Sequence, residues 1–153
     1  MSGVIGGAGS KSGIIGQTEL DYEEGTFTPV LGGHSGTSGQ SYGAQAGSYI
    51  KIGKMVTVTC MTSLSSKGTV TGNAVVSGFP YALKGSSTYR ASAALSYLSY
   101  WDIAGKQMQG LMYENDTRVS FIRTSTSNGG VGAVLASEIG NSEVVTTITY
   151  RTN

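Results

Sequence analysis

Apolar and polar residues alternate along short stretches of the chain, as they do in β-strands that bury one face. The clearest stretch spans residues 49–64, and its apolar positions of one parity are Ile50, Ile52, Val56, Val58, Cys60 and Leu64. Gly53-Lys54 interrupts this stretch and predicts a hairpin turn. A two-residue loop would pair Ile52 with Met55 and divide the apolar residues between two faces, so we predict a bulged three-residue turn.

The rest of the pattern predicts further short strands separated by turns. They lie at residues 26–31, 69–76, 90–98, 106–113, 117–124, 131–136 and 143–151. Pro29 has no amide donor and places the first of them at an edge or a bulge. Residues 32–48 are rich in Gly and Ser with almost no apolar anchor, so we expect a long surface loop there. Many short strands with frequent turns are typical of an antiparallel β-sandwich or jelly roll, and we predict an all-β fold of this class.

The composition agrees with an all-β domain and excludes several kinds of partner. Of 153 residues, 24 are Gly and only 12% are charged, which argues against a helical bundle, while 39% are hydrophobic and can supply a core. The net charge of +1 provides no electrostatic attraction to nucleic acid or to an anionic membrane. Because no apolar run is long enough to cross a bilayer and no basic, apolar leader is recognisable, we expect neither membrane insertion nor a secretory signal.

Residues for catalysis and metal binding are scarce. The single histidine, His34, lies in the Gly-rich segment without a framework to orient it, and no nucleophile elbow is present. The single cysteine, Cys60, is expected to be a buried apolar residue of a strand. The acidic residues Asp21, Glu23 and Glu24 lack the spacing of a calcium loop. We expect no catalytic residue, no metal and no cofactor, and predict that the protein is not an enzyme, although a carboxylate pair from two strands would leave no sequence signature.

The first twenty residues differ from the remainder and predict two parts, an anchoring arm at 1–20 and a β-sandwich domain at 21–153. The motif Ser-Gly-Val-Ile-Gly, which starts at Ser2, returns ten residues later as Ser-Gly-Ile-Ile-Gly. Its glycines make the arm flexible, and its apolar residues are Val4, Ile5, Ile14 and Ile15. These four residues predict docking on a partner chain, unless the arm folds back onto its own domain.

Aromatic residues among Ser, Thr, Asn and Gln suggest a polar recognition surface of the kind that glycans or protein partners contact. The residues that we single out as possible ligand or receptor contacts are Tyr42, Tyr100, Trp101 and Asp102. The alternative is that the tyrosines are ordinary strand residues and that Trp101 fills the core.

The last predicted strand has apolar residues of both parities, which suggests that both of its faces are covered. These residues are Val144, Val145, Ile148 and Tyr150. The second face of this strand packs against either another sheet or a neighbouring subunit. We expect a homo-oligomer.

Two segments resemble a pair that recurs in small virion proteins and fibre tips of tailed bacteriophages, particularly marine ones. Residues 20–29 read LDYEEGTFTP and residues 47–58 read GSYIKIGKMVTV. The family pattern is an acidic DYEEGT-aromatic-TP start, a loop, and a hairpin of the form GxYxKIGxxVxV. Phe27 stands where the family more often has Trp. The resemblance is close over residues 20–64 and only general elsewhere.

The resemblance implies a non-enzymatic, β-rich structural protein of the phage particle, assembled in the host cytoplasm and commonly a homotrimer. Because the chain has neither a collagen-like tract nor coiled-coil heptads that would form a shaft, we expect a capsid decoration, cement or head-fibre protein. Its arm would bind other virion proteins by strand addition or by insertion into a groove. The alternative is a tail-fibre tip that recognises host surface glycans through Trp101 or a tyrosine.

Overall fold

Antiparallel strands make up most of the part of the chain that the computed structural model describes, which is residues 21–85, 88–103, 105–124 and 130–153. The strands are β1 (Tyr22–Phe27), β2 (Val30–Gly33), β3 (Gly36–Ser38), β4 (Ser41–Ile52), β5 (Met55–Ser66), β6 (Thr69–Thr71), β7 (Ala74–Ser77), β8 (Arg90–Trp101), β9 (Met108–Tyr113), β10 (Val119–Thr124), β11 (Val131–Ala133) and β12 (Ile139–Arg151). One 3₁₀ turn, Ala136–Glu138, precedes β12. Over these ranges no helix is long and apolar enough to span a bilayer.

The predicted arm lies outside the described residues. This applies to all four of its apolar residues, Val4, Ile5, Ile14 and Ile15. The division of the chain at residue 20 therefore stays a prediction.

A single curled sheet provides both halves of the domain. Its strand order is β1-β4-β5-β12-β8-β9-β10-β7-β2, with β11 paired to β10, and β3 and β6 form a separate two-stranded sheet. The two halves enclose one apolar core, in which Val56 and Val58 of β5 are buried together with Val119 and Phe121 of β10. The predicted all-β, antiparallel fold is confirmed, and the facing halves of one sheet take the place of two separate sheets.

The turn between β4 and β5 differs from the predicted one. Ile52 pairs with Met55, so the loop contains only Gly53 and Lys54, and the predicted three-residue bulged turn is wrong. Gly53 has a φ of +56°, which glycine adopts without strain and which such a short turn requires. As a result Ile50 and Ile52 point away from the core, and each is 45% exposed.

The segment predicted as a long surface loop is mostly strand. Residues 32–48 include the end of β2, all of β3 and most of β4, and β4 pairs with β5 from Ser41 to Ile52. The prediction was wrong because backbone pairing stabilises β4, whereas the prediction looked for apolar side chains. Gly47 suits its place in this strand because the Phe27 ring of β1 covers it.

The two segments that carry the family resemblance are paired strands. Tyr49 lies opposite Gly25 and Gly47 lies opposite Phe27, so each aromatic ring covers a cross-strand glycine. A Cβ atom on Gly25 would lie 2.8–2.9 Å from the Tyr49 ring, and one on Gly47 would lie 2.5–2.8 Å from the Phe27 ring. The Lys51 ammonium donates to Asp21 at 2.7 Å beside them. The packing of β1 against β4 therefore accounts for the aromatic and glycine positions of these two segments.

In the second half of β12 the apolar residues that enter the core share one parity. Val144, Ile148 and Tyr150 point into the core, whereas Val145 lies on the opposite face and is only partly buried. The face that carries Val145 is partly exposed in the single chain, so its cover by a neighbouring subunit stays a prediction.

Cys60 lies in the core, as its position in the alternating pattern predicted. The residue is 2% exposed, and burial raises the pKa of its thiol to about 12. The thiol therefore stays protonated at neutral pH and behaves as a small apolar group.

Candidate functional site

An open depression of about 790 Å³ lies where the end of β8 meets the start of β12 and the end of β5. Its lining residues are Ser63, Leu64, Tyr100, Trp101, Asp102, Gly140, Asn141 and Glu143. Three of the four predicted contact residues, Tyr100, Trp101 and Asp102, therefore lie together. The depression combines two aromatic rings with an amide, a hydroxyl and two carboxylates.

Trp101 forms the rigid wall of the depression. Its indole Nε1 donates to the Glu143 carbonyl oxygen at 3.1 Å. Its ring packs edge-on against Phe121, with centroids 5.2 Å apart, and it is half-buried against the core. Trp101 thus serves the core and also lines the depression, so both interpretations of this residue from the sequence hold in part.

Tyr100 lies beside Trp101 in an unusual backbone conformation. Its φ is +59°, a region that costs a bulky residue about 1–2 kcal/mol, and its side chain is 77% exposed. The hydroxyl of buried Ser142 donates to the Tyr100 carbonyl oxygen at 2.6 Å and accepts from the Gly140 amide at 3.0 Å. The protein therefore holds a strained backbone that directs an aromatic ring to solvent.

Irregular pairing between β8 and β12 produces this conformation. The register shifts between Ile139 and Glu143 and again between Glu143 and Val145. Tyr97 lies at the second irregularity, with a φ of +51° and 67% of its surface exposed. Bulges are frequent beside binding sites because they redirect side chains. Two strained and exposed tyrosines three residues apart mark this end of β8 as a candidate binding surface.

The charged side chains of the depression are both carboxylates, those of Asp102 and Glu143. In the described part of the chain neither Asp102 nor Glu143 takes part in an ion pair. Asp102 is held by its backbone amide, which donates to the Glu138 carbonyl oxygen at 2.9 Å. Carboxylates and amides beside aromatic rings suit a saccharide, because its hydroxyls donate to the oxygens while its C–H faces stack on the rings.

Tyr42, the fourth predicted contact residue, does not line the depression. Its hydroxyl donates to the Leu31 carbonyl oxygen at 3.0 Å, and the ring packs against the core. Burial raises the pKa of Tyr42. His34 is also elsewhere, exposed beyond the end of β2. Across the described residues no group of three His, Cys, Asp or Glu side chains is arranged to hold a metal ion.

Sequence reasoning missed two residues of this surface, Asn141 and Glu143, and counted Tyr97 only among the aromatic residues without singling it out. Asn141 and Glu143 reach the depression through the pairing of β12 with β8, from about forty positions along the chain. The unusual position of Tyr97 depends on a register shift that no local pattern shows. The only available signal was the high density of tyrosines between residues 97 and 100.

Comparisons with known proteins identify the fold class. No protein-family model matches the chain, and no curated protein matches it. Among solved structures, the fold is similar to the Dettilon tailspike protein, with a TM-score of 0.67 and 17% identity over 86% of this chain. The match covers 24% of the tailspike chain, so this protein corresponds to about a quarter of its length. At this identity the similarity establishes a shared all-β domain fold.

Proposed function

We propose that this protein is a non-enzymatic component of a tailed bacteriophage particle, and that its β-domain binds a host surface saccharide in the depression at Trp101. The paired motif of β1 and β4 resembles that of small phage virion proteins. The similarity to a domain of a tailspike protein supports a place in the tail. The proposed location is therefore the virion, with other virion proteins as partners, and a homotrimer remains the expected assembly.

The strained Tyr100 beside Trp101 is the observation that carries the receptor-binding role. Backbone strain of this kind persists where the surrounding structure maintains it, and it is concentrated at functional sites. An exposed ring next to a fixed indole offers two surfaces for sugar C–H groups, and Asp102, Asn141 and Glu143 offer acceptors for hydroxyls. Nothing in the packing of the core requires Tyr100, because its side chain is 77% exposed.

Replacing Tyr100 with Gly should remove saccharide binding while leaving the fold intact. Glycine adopts a φ of +59° without strain, so we expect the melting temperature to stay the same or rise. The measurement is binding to an array of purified O-antigen and capsular polysaccharides, on which we expect at least a tenfold loss of signal relative to the unmodified chain.

The matched control for this test is Tyr22→Ala, because Tyr22 is also an exposed tyrosine, at 52%, but lies on β1. This variant should bind like the unmodified chain. Equal binding by Tyr100→Gly and Tyr22→Ala would refute the proposal that the depression is the saccharide-binding site. The absence of any polysaccharide signal from the unmodified chain would refute it too.

The second candidate function is a capsid decoration, cement or head-fibre role, which the sequence repeat of the arm favours. In this case the arm would dock between capsid subunits through its apolar residues, Val4, Ile5, Ile14 and Ile15. Repetition on the capsid lattice would raise the apparent affinity even if each arm binds weakly.

Electron microscopy of particles that contain the protein should place its density at the tail. Deleting residues 2–18 tests the arm separately, and we expect loss of attachment with the melting temperature of the domain unchanged. Density on the capsid lattice would favour the decoration role over the tail. Retained attachment after the deletion would exclude the arm as the anchor in either location.

A further inference from the structure

We propose that a second groove binds the acidic group of a saccharide, a carboxylate or a phosphate. This groove, of about 410 Å³, lies at the start of β8 and the end of β12, which are the strand ends opposite to Trp101 and Asn141. Two arginines, Arg90 and Arg151, are among its lining residues, together with Tyr89, Ser92 and the apolar Met55 and Leu83. Guanidinium groups bind planar oxyanions in a bidentate manner, and sequence reasoning assigned no role to either arginine.

Arg90 is held in place before any ligand arrives. One of its guanidinium nitrogens, Nη1, donates to the Tyr89 carbonyl oxygen at 2.9 Å and pairs with Glu114. The guanidinium carbon lies 4.6 Å from the centroid of the Tyr113 ring. Its side chain nevertheless remains 40% exposed. A fixed guanidinium loses little conformational entropy on binding, so Arg90 suits the role of a preorganised donor.

Arg151 supplies positive charge that the neighbouring carboxylates do not neutralise. Glu114 pairs with Arg90 and Asp116 pairs with Arg118, whereas Arg151 is exposed and has no ion-pair partner in the described part of the chain. Of the two arginines that line the groove, Arg151 therefore supplies the positive charge that no carboxylate of the described residues pairs with.

The other lining groups favour a sugar over a simple inorganic anion. Tyr89 is 42% exposed at the groove and offers a ring face for stacking. Ser92 lies beside Arg90 on β8 and offers a hydroxyl. Cations, a ring and a hydroxyl together match a uronic acid or a sugar phosphate. The depression at Trp101 carries unpaired carboxylates and matches a neutral saccharide, so the two sites differ in the charge of the group they accept.

Titration of the full chain with small probes tests this assignment. The probes are a galacturonic acid trisaccharide, glucose 6-phosphate and, as the neutral comparison, a galactose trisaccharide, with binding followed by NMR at low and high salt. We expect the acidic probes to bind more tightly at low salt and the neutral trisaccharide to leave Arg90 and Arg151 unperturbed. A response to only one acidic probe identifies the acidic group as carboxylate or phosphate.

The variant Arg151→Gln should weaken binding of the acidic probe about tenfold without changing the melting temperature, since its side chain is exposed. The matched control, Arg118→Gln, removes an arginine that pairs with Asp116 and does not line the groove, so it should bind like the unmodified chain. Equal affinity of Arg151→Gln and the unmodified chain, or no acidic probe binding at all, would overturn the proposal. Tyr100→Gly should leave this binding unchanged, so the two proposals fail separately.

Discussion

Replacing Phe121 with Ala should lower the free energy of unfolding by about 3–5 kcal/mol, one of the two largest effects that we expect in this protein. Phe121 is completely buried in β10, and its ring meets Trp101 edge-on. The substitution loses the transfer free energy of the ring and leaves a cavity between the two halves of the sheet. Chemical denaturation followed by the fluorescence of Trp101, the only tryptophan, measures the loss directly.

Phe121→Leu is the conservative control, because it retains most of the apolar volume and should cost less than about 1.5 kcal/mol. The alanine variant should also shift the emission of folded Trp101 to longer wavelength, since the indole loses one of its packing partners. A loss below about 1 kcal/mol for Phe121→Ala, with unchanged emission, would mean that the two residues do not pack as described.

Gly33→Ala should destabilise the domain by at least about 2 kcal/mol, although it adds only one methyl group. A Cβ atom at this position would lie 2.6 Å from the Thr71 amide nitrogen and 2.8 Å from the Gly36 carbonyl oxygen. These atoms belong to the backbone and cannot rotate away. The methyl group would therefore push the β3–β6 sheet from β2 and break the bond from the Ser35 amide to the Thr71 carbonyl oxygen.

Gly132→Ala is the matched control, because no atom lies within 4 Å of the added methyl group and the residue has an ordinary φ. Its free energy of unfolding should stay within about 0.5 kcal/mol of the unmodified chain. Denaturation of the two variants side by side separates a steric effect at Gly33 from a general preference for glycine. Similar stabilities of the two would contradict the close backbone approach.

The strained end of β8 connects stability with the proposed function. Tyr97 and Tyr100 both have positive φ, a conformation that lowers stability unless something else requires it. A sequence selected only for stability would place Gly or Asn at these positions. The two exposed rings therefore support a role in binding, and the same logic predicts that Tyr100→Gly separates binding from stability.

The all-β class and most strand positions were predictable from the sequence. Strands predicted at residues 106–113, 117–124 and 143–151 overlap β9, β10 and β12, because alternation reports which side chains enter the core. The prediction was wrong for residues 41–48 of β4, whose Gly, Ala and Ser residues show no alternation. It was also wrong for the β4–β5 turn, because the register of a hairpin depends on backbone geometry that apolar spacing reports only indirectly.

The candidate site was predictable only along one strand. Tyr100, Trp101 and Asp102 are neighbours in the sequence, so their clustering could be inferred from it. Their partners Asn141 and Glu143 come from β12, and only the pairing of β12 with β8 brings them near. Arg90 and Arg151 are likewise distant in sequence, and both line one groove because β8 and β12 are antiparallel neighbours.

By itself, the amino-acid sequence determined the kind of domain, a Gly-rich β-fold with one apolar core, because composition and alternation govern which surfaces leave water. Only the tertiary structure decided which residues share a surface. Register shifts between β8 and β12 turn two tyrosines outward, and the antiparallel pairing of these strands places carboxylates at one end and arginines at the other. The physical reason is that contacts between strands depend on pairing across the sheet, which sequence neighbours do not encode.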